Sequence, residues 1–575
     1  MHTPTPATQH SFAAGGAVLR CLLAGLTHSL LLALAFPPVG WWPLALAAPI
    51  PLVWLATDVT RLKFLHYTAL FGGVLTFWLY TVAWTFEVAG PGYPCLAAIQ
   101  SVWAPIFVWC LRRLSRRGVA LTLAVPLAWT GIEFVRGELF ADGFAWSLIA
   151  YPLIDSPALA APATITGVYG VGFLTALLTG SLADALPTRM RRRAASLIGL
   201  AVWVVVTLGA SLQPAAMHTG PVSAVVLQTN VPQSNKIGWT IEREIEDYER
   251  FERLSRRALA GGHTPDLLIW PETMLPGLTL EAEALAAMSQ RGLVRRVPGS
   301  AAIPVDYFAD RVRSLSRDLG VPMLVGEDAV EGLTITRTDE GYDIGHSDRY
   351  NSVYLLRNGE VEPTRYDKVC LTPFGETMPY ISNWPWLERQ LLDVAARGMT
   401  FDLSRGRNLD VFEIPRTAPG AAPVRAVTPI CFEITVGPHC RRLVYGPEGR
   451  RADLIVNVTN DGWFGDWDVI REQHLQIARW RCLELGTPMV RAANTGISAL
   501  VDTTGRLIRR GVDDGGDSRA EGTLSGMVEL RSAPTIYGRA GDVLPWTTLA
   551  ALLLLLAWSF TRPDMIVPTT ARTRA

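Results

Sequence analysis

Long apolar runs constrain this chain more than any other feature of its sequence. A helix that crosses the hydrocarbon core of a bilayer needs about 20 apolar residues, and the second and fourth runs here are short. The runs lie near residues 18–36, 41–57, 65–86, 95–111, 119–135, 163–185, 195–213 and 543–560. We therefore expect a polytopic α-helical membrane bundle of about eight spans.

The composition changes sharply between the last two runs. Residues 1–215 are dominated by apolar runs, whereas residues 216–540 have the mixed composition of a soluble α/β domain. We predict an N-terminal membrane domain of about seven spans over 1–215, an inserted catalytic domain over 216–540, and a C-terminal transmembrane helix with a tail over 541–575.

Charge and cysteine content exclude some classes of function. The formal net charge is +0, which gives no reason to expect a nucleic-acid partner. The 7 cysteines form no CxxC pair and show no Cys/His ligand spacing. We therefore expect no metal and no cofactor.

Basic residues are distributed unevenly among the loops between the apolar runs. The loops at 37–40 and 87–94 contain no Lys or Arg. The alternate loops and the C-terminal tail contain Arg61, Lys63, Arg112, Arg113, Arg116, Arg117, Arg189, Arg191, Arg192, Arg193, Arg562, Arg572 and Arg574. The positive-inside rule then predicts that both termini are cytoplasmic and that the inserted domain lies on the far side. This arrangement favours a bacterial inner membrane with a periplasmic catalytic domain.

The soluble region alternates short apolar strands with amphipathic helices. We expect helices over residues 242–259, 306–319 and 468–485. We expect strands over residues 222–227, 267–270, 322–325, 352–356, 424–431, 454–458, 489–492 and 499–501. Strands that alternate with helices indicate an α/β domain whose sheet is covered by helices.

Three chemically active side chains fall at the predicted ends of strands or in the loops beyond them. Glu272 follows the apolar run Leu267-Leu268-Ile269-Trp270-Pro271, Lys368 precedes Pro373-Phe374-Gly375-Glu376, and Cys431 ends a β-branched run. A carboxylate, an ammonium and a thiol together are the groups that covalent acyl chemistry needs. A lone buried cysteine is more often a small core residue, and we expect Cys370, Cys440 and Cys482 to be of that kind.

The motifs around these side chains resemble a known superfamily. Trp270-Pro271-Glu272, Tyr366-Asp367-Lys368 and Pro429-Ile430-Cys431-Phe432-Glu433 are similar in order and spacing to the Glu–Lys–Cys triad of the nitrilase (carbon–nitrogen hydrolase) superfamily. The flanking motifs narrow the resemblance to apolipoprotein N-acyltransferases. They are Ala35-Phe36-Pro37-Pro38, Gly143-Phe144-Ala145-Trp146, and residues 228–239, 457–464, 474–484 and 491–496.

The resemblance implies a fold and a reaction. The fold would be a nitrilase-like αββα sandwich inserted into the membrane bundle. Cys431 would take an acyl chain from a phospholipid as a thioester, in a ping-pong reaction. The acyl chain would then pass to the α-amino group of a diacylglyceryl-modified apolipoprotein. Glu272 would be the general base, and Lys368 would stabilise the oxyanion and favour the thiolate.

The resemblance also implies supporting residues. Glu376 would position Lys368 or relay a proton, and Glu433 would fix the turn that holds Cys431. The backbone N–H of Phe432 would help to bind the oxyanion, and the family often has a tyrosine at this position. Asn351 and Trp239 are chosen on the resemblance alone.

Two other functions are compatible with the same residues. A membrane-anchored amidase or nitrilase would use water as the acceptor, and an identical triad would serve it. A non-enzymatic transport or scaffold protein would carry a degenerate domain, but the intact Glu272, Lys368 and Cys431 argue against that alternative. The number of spans favours acyl transfer between two substrates that both reside in the bilayer.

Overall fold

The chain divides into two compact units in a computed structural model. One unit comprises residues 1–83, 93–213 and 542–575, and the other comprises residues 84–92 and 214–541. The structure describes residues 6–58, 61–86, 90, 92–186, 192–212, 218–232, 240–262, 264–295, 302–338, 341–373, 375–377, 384, 386, 403–512, 518–531 and 534–561. The two units are described separately below.

The first unit is helical throughout. Its α-helices are Pro6–Ala35, Pro43–Ala47, Ile50–Thr57, Phe64–Thr81, Gly92–Ser101, Trp103–Arg116, Leu121–Phe134, Pro157–Ala160, Ala163–Ala185, Arg193–Ser211 and Val543–Thr561. Among the described residues, 5 helical segments are long and apolar enough to cross a membrane: Gly16–Ala35, Gly92–Arg116, Ala163–Ala185, Arg193–Ser211 and Val543–Thr561. The other three predicted runs form shorter or less apolar helices, so the count of about eight spans stays a prediction.

Two glycines allow close packing of a helix pair in this unit. A Cβ added to Gly25 would lie 2.7 Å from the backbone oxygen of Leu70, and one added to Gly73 would lie 2.6 Å from that of Leu22. The helices Pro6–Ala35 and Phe64–Thr81 therefore meet backbone to backbone. Small residues at such crossings are typical of membrane helix pairs, where close van der Waals contact replaces the hydrophobic effect as the driving force.

The second unit is built on two six-stranded sheets. Its strands in chain order are β1 His218–Gln228, β2 Leu267–Ile269, β3 Val294–Arg295, β4 Ile303–Pro304, β5 Met323–Glu331, β6 Thr334–Thr338, β7 Gly341–Gly345, β8 Asp348–Arg357, β9 Glu360–Asp367, β10 Phe412–Ile414, β11 Val424–Val427, β12 Tyr445–Gly446, β13 Gly449–Arg450, β14 Leu454–Thr459, β15 Met489–Ala493, β16 Ala499–Val501, β17 Leu507–Arg510 and β18 Gly522–Arg531. One sheet has the order β18-β1-β2-β5-β8-β9, and the other has the order β10-β11-β14-β15-β16-β17.

Side-chain alternation along the strands separates two apolar cores. On β1, Ala224 and Val226 belong to the core shared by the two sheets, whereas Val225 and Leu227 belong to a second core on the opposite face. The helices Ile241–Leu259, Ala282–Ser289 and Tyr307–Leu319 cover that second face. The helices Gly437–Val444 and Asp468–Leu485 pack on the other sheet. The result is the predicted helix–sheet–sheet–helix sandwich.

The strand predictions fail in two ways. The expected strand over 424–431 ends at Val427, and Cys431 instead begins a 3-10 turn, Cys431–Thr435. Ten strands among the described residues were not predicted: β3, β4, β6, β7, β9, β10, β12, β13, β17 and β18. β9, β10 and β17 lie at or beside a sheet edge or carry many charged residues, so they lack the continuous apolar run that marks a central strand.

The parallel strands all point one way, which gathers their carboxyl ends at one edge. β1, β2 and β5 are parallel neighbours in one sheet, and β11, β14 and β15 are parallel neighbours in the other. The residues that follow these strands are therefore close in space although they are far apart in sequence. Crevices at such carboxyl edges are where open α/β sheets place their ligands.

Gly326 on β5 sets the distance between that strand and the turn after β2. A Cβ at this position would lie 2.5 Å from the backbone oxygen of Pro271, 2.7 Å from the Thr273 nitrogen and 2.9 Å from the Glu272 Cα. All three atoms belong to backbone or Cα positions that cannot rotate away. The turn that carries Glu272 thus requires glycine opposite it.

We predict that Gly326→Ala destabilises the protein by about 1–3 kcal/mol, because the added methyl group overpacks a rigid turn. Thermal unfolding of the full-length protein in detergent measures this effect. The matched control is Gly261→Ala, since an added Cβ there has no atom within 4 Å. Equal melting temperatures for the two variants would contradict the prediction.

Candidate active site

Glu272 lies just beyond the carboxyl end of β2, on a turn whose next residue, Thr273, has a φ of 48°. Its carboxylate is buried. Asn351 Nδ2 donates to Oε1 at 2.8 Å, and the Asn460 backbone N–H donates to Oε2 at 2.9 Å. The Lys368 Nζ lies 3.4 Å from Oε1. These donors come from both sheets and hold the carboxylate in one orientation.

Lys368 follows β9, and only 1% of its surface is exposed. Its Nζ donates to Glu376 Oε1 at 2.8 Å, and Glu376 Oε2 accepts the Thr372 backbone N–H at 2.7 Å. Burial alone would lower the pKa of Lys368, but Glu376 and Glu272 outweigh it and raise that pKa. The side chain is therefore an ammonium ion between two carboxylates.

Cys431 is the first residue of the 3-10 turn Cys431–Thr435, and it has a φ of 48°. A residue with a side chain is strained in this left-handed region, and such strain is concentrated at functional positions. The side chain is half-buried. Burial raises the pKa of the Cys431 thiol, Glu272 raises it further, and Lys368 lowers it.

The effects on the Cys431 thiol oppose one another. Lys368 favours the thiolate, as the sequence predicted, but burial and Glu272 together prevail and leave the pKa raised. The resting group is the thiol, with a carboxylate close enough to shift its pKa. The arrangement therefore suits attack assisted by a base rather than a preformed thiolate.

Glu433 does not contact Glu272 or Lys368. Its carboxylate instead accepts hydrogen bonds from backbone N–H groups near Lys368 and Cys431. Its Oε2 accepts the Ile430 N–H at 2.8 Å, while Oε1 accepts the N–H groups of Val369 and Cys370 at 2.7 and 2.8 Å. One buried carboxylate thus joins the turn before Cys431 to the loop after Lys368. Tyr366 also donates its hydroxyl to Oε2, at 2.8 Å.

The remaining predicted residues are placed as follows. Asn351 contacts Glu272 directly through its side-chain amide. Phe432 is half-buried, and its backbone carbonyl accepts the Thr435 hydroxyl at 2.8 Å. Trp239 lies outside the described residues. The structure therefore brings Glu272, Lys368, Glu376 and Asn351 into one hydrogen-bonded group.

A buried polar network behind the site was not predicted. Arg491 donates to Asp461 Oδ2 at 2.8 Å and to the side-chain oxygen of Asn457, whose Nδ2 donates to the Pro429 carbonyl at 2.8 Å. His474 contacts Asp461 Oδ1 through Nδ1 at 2.9 Å. The sequence signal was a set of polar residues within and just after two apolar strands: Asn457 lies in β14, Arg491 lies in β15, and Asp461 follows β14. Burial, followed by Arg491, lowers the pKa of His474, so this ring is a neutral hydrogen-bonding residue.

One cluster has the residue types of a metal site. Donor atoms of Cys370, Glu433 and His439 lie within 4.8 Å of one another. Both oxygens of Glu433 are already occupied by N–H and O–H donors. Burial would lower the pKa of His439, but the Glu433 carboxylate raises it to about 10. These groups therefore form an ion pair and do not offer free ligand atoms at neutral pH.

Comparison with known proteins identifies two family domains in the chain. The apolipoprotein N-acyltransferase N-terminal domain matches residues 28–181, and the carbon-nitrogen hydrolase family matches residues 233–531. The second match covers more than half of the chain. It includes the positions of Glu272, Lys368 and Cys431.

Full-length relatives agree with both matches. The apolipoprotein N-acyltransferase of Geobacter metallireducens is 29% identical over 95% of this chain and 96% of its own length. That of Bradyrhizobium diazoefficiens is 32% identical over 83% of this chain and 79% of its own length. An amidase structure from Nesterenkonia sp. AN1 aligns at 16% identity and a TM-score of 0.35, over 57% of this chain and 98% of its own. Both family domains and the two N-acyltransferase relatives give one assignment: the chain belongs to the apolipoprotein N-acyltransferase family and is an enzyme with a carbon–nitrogen hydrolase fold.

Proposed function

We propose that this enzyme transfers an acyl chain from a phospholipid, through a thioester on Cys431, to the α-amino group of the N-terminal diacylglyceryl-cysteine of an apolipoprotein. This would be the last step of lipoprotein maturation. The observation that carries the proposal is the half-buried thiol on a strained turn, within electrostatic reach of Glu272 and Lys368. Family membership supports the choice of substrates.

In the first half-reaction the Cys431 sulfur attacks a phospholipid ester carbonyl. Glu272 takes the thiol proton as the carbon–sulfur bond forms. The negative charge on the carbonyl oxygen is stabilised by Lys368 and by the backbone N–H of Phe432. Collapse of the tetrahedral intermediate breaks the ester bond, and the proton held by Glu272 passes to the departing lysophospholipid hydroxyl. A thioester remains on Cys431.

In the second half-reaction the neutral α-amine of the apolipoprotein attacks the thioester carbonyl. Glu272 accepts a proton from the amine, and Lys368 again faces the developing oxyanion. The carbon–sulfur bond then breaks and the sulfur recovers a proton, which leaves an amide on the acceptor. Because an amide is more stable than a thioester, this step is favourable.

The supporting residues act through these three groups. Glu376 holds the Lys368 ammonium at 2.8 Å, and Asn351 holds the Glu272 carboxylate at 2.8 Å. Glu433 fixes the turn that presents Cys431 through the Ile430 N–H. Phe432 supplies a backbone donor and a ring beside the nucleophile, and Trp239 remains a supporting candidate on the family resemblance alone.

We propose a multi-pass location in a bacterial inner membrane, with a periplasmic catalytic domain and cytoplasmic termini. The 5 long apolar helices support a bilayer location. The basic residues concentrated in alternate loops support this orientation. Both substrates would then reach the enzyme from the lipid phase.

The first prediction concerns the sulfur of Cys431. We expect Cys431→Ala to abolish formation of an acyl adduct from labelled phospholipid, because no other described group is placed to form the thioester. Mass spectrometry of the intact protein, with and without hydroxylamine, measures the adduct. Cys482→Ala is the matched control, since it removes a buried core sulfur and leaves the site unchanged.

The same experiment separates transfer from hydrolysis. In acyl transfer, the wild-type adduct persists in water and is discharged by a diacylglyceryl lipopeptide amine. Rapid discharge by water alone would indicate a hydrolase. Full activity in the alanine variant, or the absence of any adduct on the wild type, would refute the proposal.

The second prediction concerns the base. Glu272→Gln keeps the size of the side chain but cannot take the thiol proton, so adduct formation should slow by about 10²–10⁴-fold. Single-turnover measurements of adduct formation give this rate. Asp318→Asn is the control, because its ion pair with Arg256 is exposed and such pairs contribute little. A rate within about twofold of wild type would remove Glu272 from the mechanism.

The third prediction concerns orientation. In a Cys95→Ala background, we expect Tyr342→Cys to be labelled by a membrane-impermeant maleimide in intact spheroplasts, because Tyr342 is exposed in the catalytic domain. Arg61→Cys should be labelled only after permeabilisation. Labelling in the opposite pattern would reverse the proposed topology.

A further inference from the structure

His439 is a buried histidine that the mechanism above does not use. It lies in the first turn of the helix Gly437–Val444 and has no exposed surface. Its Nε2 lies 3.0 Å from the Tyr366 hydroxyl oxygen and 3.2 Å from Glu433 Oε1. Its Nδ1 meets no hydrogen-bond partner at normal geometry among the described residues, and the Cys370 side chain is a further polar neighbour of the ring.

The hydroxyl of Tyr366 fixes the direction of these contacts. Since that hydroxyl donates its hydrogen to Glu433 Oε2, it can only accept from the His439 Nε2–H. The ring nitrogen is therefore a donor that faces both Tyr366 and the carboxylate. A donor in this position favours the ionised form of Glu433.

Glu433 has a structural task that depends on its charge. It accepts three backbone N–H groups, from Ile430, Val369 and Cys370, and these join the turn before Cys431 to the loop after Lys368. A protonated carboxyl group would place a hydrogen where the surrounding groups are donors. Loss of the charge would release one or more of these contacts and loosen the strained turn.

Other titratable and charged groups surround the pair. Tyr366 approaches from β9, Cys370 from the loop that follows, and Cys440 from the same helix as His439. Arg481 and Glu484, which pair at 2.9 Å, approach from the helix Asp468–Leu485. Burial would raise the pKa of Glu433, but His439 and the backbone N–H groups lower it.

We propose that His439 is a positioning residue. As a buried imidazolium it keeps Glu433 ionised, and through Glu433 it holds the turn of Cys431 and the loop after Lys368 in fixed relative positions. This inference rests on the proposed function, because it assumes that Cys431 is the nucleophile. It predicts that removing the positive charge of His439 changes how the reactivity of Cys431 depends on pH.

The test compares the pH dependence of Cys431 reactivity in four proteins: the wild type, His439→Gln and two further variants. The readouts are the rate of acyl-adduct formation from labelled phospholipid and the rate of Cys431 alkylation by iodoacetamide, which needs no lipid substrate. In His439→Gln, Glu433 should protonate at higher pH. The acid limb of the pH–rate profile, where the rate falls as the pH is lowered, should therefore shift to higher pH by about one unit or more. Raising the pH should restore the rate.

Two further variants separate positioning from general destabilisation. Glu433→Gln should be slow at every pH, because its amide never ionises. Leu443→Val removes a buried carbon from the same helix without touching the carboxylate. It should lower the melting temperature and leave the acid limb in place.

A measurement on the wild type covers the case in which His439→Gln fails to fold. Exchange of the histidine C2 hydrogen, followed by mass spectrometry, gives the pKa of one histidine in the intact protein. We expect a value clearly above the ordinary value of about 6.5. A value at or below it would overturn the inference.

The outcomes distinguish this inference from the proposed function. If the wild type forms no acyl adduct, the proposed function fails, and the alkylation profiles still decide the role of His439. If the wild type forms the adduct and His439→Gln shows an unshifted acid limb, or a uniform loss at every pH, the positioning role alone is wrong.

Discussion

The burial of the Lys368 ammonium is the constraint on which the rest of the site depends. An ammonium group that leaves water needs charged partners, because the desolvation penalty in a protein interior is several kcal/mol. Glu376 at 2.8 Å and Glu272 at 3.4 Å provide them. One positive and two negative charges leave an excess of negative charge beside Cys431. Burial, followed by Glu272, raises the pKa of that thiol, so in the proposed reaction the nucleophile would form by proton transfer during attack.

The end of β9 links this group to a second buried ion pair. Tyr366 and Lys368 are two residues apart in extended backbone, so their side chains point to the same side. Lys368 meets Glu272 and Glu376, whereas Tyr366 meets Glu433 and His439. A displacement of this strand end would disturb both ion pairs together. The two buried groups of charged side chains together therefore fix the position of Lys368 and the loop that follows it.

The order of the site along the chain was readable from sequence because it depends on local patterns. An apolar strand followed by a polar residue predicts a side chain at a strand end, and Glu272 meets that pattern. Most central strands were also predicted. The edge strands β10 and β17 were not, since few of their residues form a continuous apolar run.

What the sequence could not indicate is set by contacts between distant segments. The charge of His439 depends on Glu433, six positions earlier but brought close only by the 3-10 turn between them. The pKa of the Cys431 thiol depends on a sum of opposing effects. The sequence indicated that Glu272 and Lys368 act on this thiol, but it could not indicate how far burial raises the pKa. The left-handed backbone at Cys431 likewise has no signal in a residue type that rarely adopts it.

Glu272, the proposed base, is held by protein donors, and this bears on the choice of acceptor. The backbone N–H of Asn460 donates to Glu272, and the side-chain oxygen of Asn460 accepts from Asn494. The side chain of Asn494 also accepts from the N–H of Val231 and donates to the carbonyl of Val231. The ends of β1, β14 and β15 thus fix one carboxylate, as preorganised dipoles do where solvent is excluded. Such a base accepts a proton from a thiol, an amine or water alike. Selection between transfer and hydrolysis must therefore come from the parts of the protein that admit the acceptor.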